Sequence, residues 1–228
     1  MSKESSHREA TTGNMYTDLG AETPEAYAIS KKSRMLARSA IGNTSVEDRI
    51  RQRCAVAVGD FSFAPLMRFS HDPVAAALSA LDNRAVIITD IRMVQVGILK
   101  KGHNSDVICA LDFGSALAKE CGITRSSAGF IALGDRICDA ILVIGNAPSA
   151  LLTICTMAGD GIRPAVVIGT PVGFVNAAES KEVLRGLDIP SVSNEGTRGG
   201  TPVAVAAMNE CITMYAENVT HARSGNRV

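Results

Sequence analysis

The chain has 228 residues, enough for one large α/β domain, and its 23 lysines and arginines balance 23 aspartates and glutamates. That balance argues against a bulk nucleic-acid or membrane-surface role, so an anionic ligand must be met by local basic groups. No run approaches membrane-spanning length, and the start MSKESSHREATTGN has no apolar stretch of the signal-peptide kind, so a cytoplasmic, unexported protein with no membrane partner is expected.

Residues 1–22 read as a flexible polar leader. Thr23-Pro24-Glu25 is a helix start, because threonine caps and proline suits the first turn. Tyr27, Ile29, Met35, Leu36 and Ile41 give that helix an apolar stripe, and Gly42-Asn43 ends it. Thr44/Ser45 with Glu47-Asp48 opens a second helix, carrying Val46, Ile50, Cys54 and Val58 toward Gly59. The chain then turns at Gly59–Ala64, Phe69-Ser70 precedes a helix over Pro73–Leu81, and Ala85–Asp90 is a strand with a polar tip. Ile91–Leu99 reads as a helix, Val107–Leu111 as a strand and Ser115–Glu120 as a short helix. Thr124-Arg125-Ser126-Ser127 starts a further helix that continues over Ala128–Cys138.

Two strand–turn–helix units follow and organise the rest. In Asp139–Ala150, an apolar run breaks at Gly145-Asn146-Ala147-Pro148-Ser149 and resumes as a helix; Arg163–Lys181 repeats this grammar around Gly169–Gly173. A last short strand, Ile189–Val192, leads through the glycine-rich loop 194–201 into a helix over Pro202–Tyr215, and residues 218–228 read as a flexible tail. Alternating strands and helices predict one domain over 23–217, a three-layer α/β/α sandwich around a mostly parallel sheet. In such sheets ligands sit at the carboxyl ends of the strands, so the two neighbouring turns should frame one site.

The chemistry-bearing residues agree with that placement. Neither G-x-G-x-x-G after a strand, nor a P-loop, nor G-x-S-x-G is present, so nucleotide and serine-hydrolase chemistry have no support and the glycines read first as tight turns. Six scattered cysteines form no C-x-x-C pair and read as reduced core residues, and the four histidines lack metal spacing, so no metal is expected. Asp60, Thr89, Asp90, Arg125, Ser126, Asn146, Ser149, Glu179, Lys181 and Arg198 gather at strand tips and helix starts. Arg125 beside the free N–H groups of a helix N-terminus makes an anion site, as against a plain surface charge. Lys181 is either a cation on the same rim or a solvated neighbour of Glu179.

Several blocks together resemble the precorrin-8X methylmutase family. They are Gly59-Asp60-Phe61 with Phe63-Ala64, Thr89-Asp90 with Met93-Val94, Thr124-Arg125-Ser126, Gly145–Leu151, Pro171–Val175 with Ala177–Lys181, and Arg198-Gly199-Gly200. The resemblance runs from about Pro24 to Ala216. It implies a cofactor-free isomerase that moves a ring methyl from C11 to C12 of precorrin-8X or cobalt-precorrin-8, giving hydrogenobyrinate or cobyrinate. It also implies a homodimer with the site near the subunit interface. Ser30, Met93, Gly173 and Gly199 join the polar residues above as substrate-binding positions, and Arg125 becomes a catalytic anchor for charge on the ring.

The chain departs from the family pattern at one place. The R-x-x-H-x-x-G histidine, the proton donor, falls on Val56 in Arg53–Gly59, and Ile29 precedes Ser30 where the family commonly has Arg-Ser. General acids contribute about a hundred- to ten-thousand-fold in rate. Three accounts follow: Asp60, Cys54 or His71 supplies the proton; the enzyme is slow and works by orienting the ring; or the chain is a corrinoid-binding paralogue without catalysis. A small-molecule enzyme for a different acid substrate is a further option.

Overall fold

A computed structural model describes residues 19–225. The expected leader therefore falls mostly outside the described residues, but its end is tied down. Leu19 packs on the core, and Glu22 pairs with Lys101 at 2.9 Å.

Helix α1 (Pro24–Ile41) begins as expected, with the Thr23 hydroxyl accepting the Ala26 N–H, and ends at Gly42. Helix α2 (Val46–Val58) starts in a reciprocal cap between Ser45 and Asp48 and stops at Gly59, which is left-handed at φ 67°. A 3₁₀ turn over Phe61–Leu66 leads to strand β1 (Met67–Ser70), which the sequence reading missed. There follow α3 (Pro73–Asp82), β2 (Ile87–Thr89), α4 (Arg92–Gly97), β3 (Val107–Cys109), α5 (Ser115–Cys121), α6 (Arg125–Leu133) and β4 (Ile141–Ile144). The chain closes with α7 (Pro148–Gly159), β5 (Val166–Gly169), α8 (Ala177–Arg185), β6 (Ser191–Asn194) and α9 (Thr201–Gly225). Several boundaries differ from expectation: β2 and β3 are shorter than the expected Ala85–Asp90 and Val107–Leu111, and β6 starts two residues later than Ile189. Gly134 breaks α6 into a 3₁₀ turn before Cys138, and α9 runs past the expected fraying at Asn218.

The sheet has the order β1-β6-β5-β4-β2-β3, with only β1 antiparallel. Its central strands alternate strictly between two cores. Ile87, Ile141, Val143, Val166 and Ile168 face one layer with α2, α3, α4 and α9; Ile88, Leu142, Ile144 and Val167 face the other with α6, α7 and α8. Burial on both faces is why these strands read as continuous apolar runs. The three-layer sandwich is thus the observed architecture.

A buried charge cluster locks α1, α2 and α9 together. Glu210, fully enclosed on α9, accepts from Arg49 Nε at 2.8 Å and Arg53 at 3.0 Å, and also pairs with Arg34. Burial alone pushes this carboxyl up, but the three guanidiniums more than offset it and hold it below the usual range. Of the six cysteines, Cys54, Cys109, Cys155 and Cys211 are buried, as expected. Cys121 and Cys138 are exposed, the first as the last residue of α5 and the second just past the 3₁₀ turn that follows α6.

Candidate functional site

Parallel strands deliver their loops to one edge. The segments after β2, β4, β5 and β6 all leave there, and the register Met67↔Asn194 brings the turn before β1 to the same end.

Asp90, at the tip of β2, is fully buried. Its Oδ1 accepts the Gly145 N–H at 3.2 Å, and its Oδ2 accepts those of Asn146 and Ala147, each at 2.8 Å. Burial pushes its carboxyl up, against the pull of those three donors. Asp90 is therefore the tether of the turn after β4, and its carboxylate is turned inward rather than toward the cleft. Ser126, also buried, donates to the Asp90 carbonyl at 3.1 Å. The Thr124 and Ser149 hydroxyls meet at 2.9 Å, joining α6 to α7. Asn146 stands exposed on this frame, and so does Arg125, whose guanidinium has no bond or ion pair among the described residues. Thr89 is spent structurally; its hydroxyl donates to the Ile108 carbonyl at 3.2 Å.

The loops after β5 and β6 are laced together. Gly200 N donates to the Thr170 carbonyl at 2.7 Å, and Gly173 N donates to the Thr197 carbonyl at 3.1 Å. Gly199 is required here: at φ 148°, a Cβ would lie 2.3 Å from the Thr170 oxygen. The Thr170 hydroxyl itself is buried with no partner among the described residues.

Lys181 is placed differently from either sequence reading. Ala177, Ser180, Lys181 and Leu184 form the inner face of α8, at helical spacing, and Lys181 is 0% exposed. Its ammonium donates to the Arg198 carbonyl at 2.8 Å and to Asn194 Oδ1 at 3.3 Å. Burial, with Arg185 nearby, lowers its pKa to about 8. It clamps the Arg198 loop from beneath instead of adding charge to the rim, while Glu179 faces solvent.

Against these loops lies a cavity of about 290 Å³, lined by Val58, Asp60, Phe63, Val172, Arg198 and Gly199. Arg198 pairs with Asp60 at 2.7 Å and lies over the Phe63 ring, 5.6 Å from its centroid. Hydrogen bonds from Ser62, and then Arg198, hold the Asp60 carboxyl below the usual range, so Asp60 stands ionised. The cavity thus brings together Asp60, Arg198 and Gly199 from the sequence set, with the Gly173 turn bonded alongside. Ser30 (half-buried on α1), Val56 (37% exposed on α2), Met93 (exposed on α4) and Arg125 lie outside its wall. Val58, Phe63 and Val172 were not expected as site residues. Polarity does not mark an apolar wall, although Val58 and Val172 adjoin glycines and Phe63 lies in the turn after Gly59. Chemically, the site offers an apolar slot with an exposed guanidinium at its mouth.

Comparison with known proteins agrees. The sequence profile described as precorrin-8X methylmutase matches residues 28–214. The cobalt-precorrin-8 methylmutase of Methanocaldococcus jannaschii is 36% identical over 213 residues, covering 88% of this chain and 99% of that protein. That of Methanothermobacter thermautotrophicus is 39% identical over 202 residues, covering 86% and 97%. The crystal structure of a precorrin-8X methylmutase from Thermus thermophilus superposes with a TM-score of 0.78 at 31% identity, covering 84% of this chain and 97% of that one.

Proposed function

The chain belongs to the precorrin-8X methylmutase family, and from that premise we propose that the loop-built edge described above holds the reacting tetrapyrrole. The protein is an intramolecular methyl-transferring isomerase of cobalamin biosynthesis. Its substrate is precorrin-8X or cobalt-precorrin-8, in which a methyl leaves C11 and arrives at C12 of the same ring. The observation that carries the site is the exposed Arg198 guanidinium at the mouth of an apolar slot. A flat ring edged with carboxylates needs both halves of that arrangement, and Arg125 and the exposed Asn146 extend the polar rim.

The residues present narrow the question of the proton. Cys54 is enclosed, its thiol pushed up by burial, and it contacts the Val203 carbonyl. His71 follows β1 at the opposite edge of the sheet and faces Asp188 at 3.4 Å. Asp60 does face the slot but is ionised, so it accepts rather than donates. The chain's own contribution is therefore to bind the ring, exclude water from its buried edge and orient it for migration.

A second copy completes the enclosure in this reading. Ile29, Met35 and Leu36 on α1 and Met93 and Val96 on α4 are exposed apolar side chains that a cytoplasmic homodimer would cover. Incubation with precorrin-8X and with cobalt-precorrin-8, followed by visible absorbance as the ring becomes a corrin, tests the function. Conversion of one or both is expected. Tight binding without turnover would favour the carrier role suggested by Val56, and loss of both would overturn the site.

A further inference from the structure

The loop between Pro171 and Asn176 carries side chains that the site leaves unused. Phe174 is 94% exposed and Val175 is 75% exposed, next to Val172 in the cavity wall. This exposure is imposed by the backbone. Gly173 is bonded to Thr197 on one side, and on the other Asn176, at φ 60°, turns the chain into α8, whose first residue Ala177 is buried. The backbone is thus held on both sides of Phe174 while its ring stands in solvent, without the burial that an aromatic side chain normally gains.

The cavity explains what covers it. At about 290 Å³ it lies at the lower limit of the roughly 300–1,000 Å³ that drug-sized ligands fill, so a tetrapyrrole with its acid arms must overhang the rim. We propose that Phe174 is a substrate-binding residue whose ring lies flat on the face of the tetrapyrrole that projects past Val172. This rests on the site reading given above. A planar π face suits a conjugated macrocycle, whereas the aliphatic patch on α1 suits a second copy of the chain.

The test is a set of absorbance titrations with hydrogenobyrinic acid, the corrin product, against the unaltered protein and the variants Phe174→Ala, Phe174→Leu and Phe174→Trp. Because the side chain stands in solvent, all should fold with unchanged thermal midpoints. The alanine variant should bind about tenfold more weakly, leucine should fall between, and tryptophan should bind at least as tightly as phenylalanine. Equal affinity throughout overturns the proposal. So does a loss of affinity that follows dimer dissociation in sedimentation, which assigns Phe174 to the copy–copy interface. If the unaltered protein leaves the corrin spectrum unchanged, the site reading falls and this contact with it; if it binds and the variants match it, only the contact falls.

Discussion

Removing the Asp90 carboxylate should loosen the turn that presents Asn146, and its cost follows from three bonds. In Asp90→Ala the N–H groups of Gly145, Asn146 and Ala147 lose their acceptor. Asn146 is exposed and regains water, but Gly145 and Ala147 are buried. Two orphaned buried donors at about 1–3 kcal/mol each give a loss of roughly 2–6 kcal/mol. In Asp90→Asn the amide oxygen, placed where Oδ2 accepts two of the bonds, keeps both in neutral form, while the amide N–H₂ faces the Gly145 donor. The one orphaned buried donor, Gly145, sets a loss of about 1–3 kcal/mol. Urea unfolding followed by circular dichroism measures both. Affinity for hydrogenobyrinic acid should fall in the same order, alanine further than asparagine. Equal stability of the alanine variant and the unaltered protein would refute the tether, and so would lost stability with affinity untouched.

Three further outcomes follow. Glu210→Gln leaves Arg34, Arg49 and Arg53 crowded around a neutral group and should cost about 3–5 kcal/mol in urea unfolding. Because the Glu210 carboxyl lies below its unfolded value, its contribution is present at neutral pH and lost as pH falls through the folded value. Lys181 acts in the same sense at higher pH. Its folded pKa of about 8 lies below the ordinary lysine value, so the unfolded chain binds more protons above pH 8. Stability from this group should therefore rise with pH from about 8 through the ordinary lysine range, and Lys181→Met should flatten that rise in pH-dependent unfolding. Finally, Val56→His places an acid at the position to which the sequence resemblance assigns the proton donor, and should raise turnover by about 10²–10⁴-fold in the corrin-formation assay. Unchanged turnover would show that the proton does not enter from this position.

Much of the fold was legible because several signals coincided. Thr23-Pro24, Ser45 with Asp48, Gly42 and Gly59 mark helix ends by cap chemistry, and the runs Ile141–Ile144 and Val166–Gly169 are apolar at every position because both sheet faces are covered. Strand β1 was not legible. Met67–Ser70 is short, only its first residue is buried, and its pairing with β6 joins segments more than a hundred residues apart. In the site, the glycine turns point to the edge where the cavity lies, but polarity misplaces two side chains. Asp90 and Lys181 look like rim charges in a linear reading, whereas the strand tip and the inner face of α8 turn both inward, where they shape loops. The Ala177, Ser180, Lys181, Leu184 spacing contained that information for Lys181. For Asp90 it required the parallel pairing of β2 with β4, which no local pattern encodes.

The most direct test is a crystal structure with hydrogenobyrinic acid bound. The ring's edge should lie between Val58, Phe63 and Val172, with an acid arm on Arg198 drawn from or shared with Asp60. A corrin seated instead at the opposite edge of the sheet, in the groove lined by Ala76, Ser79 and Asp139, would contradict it.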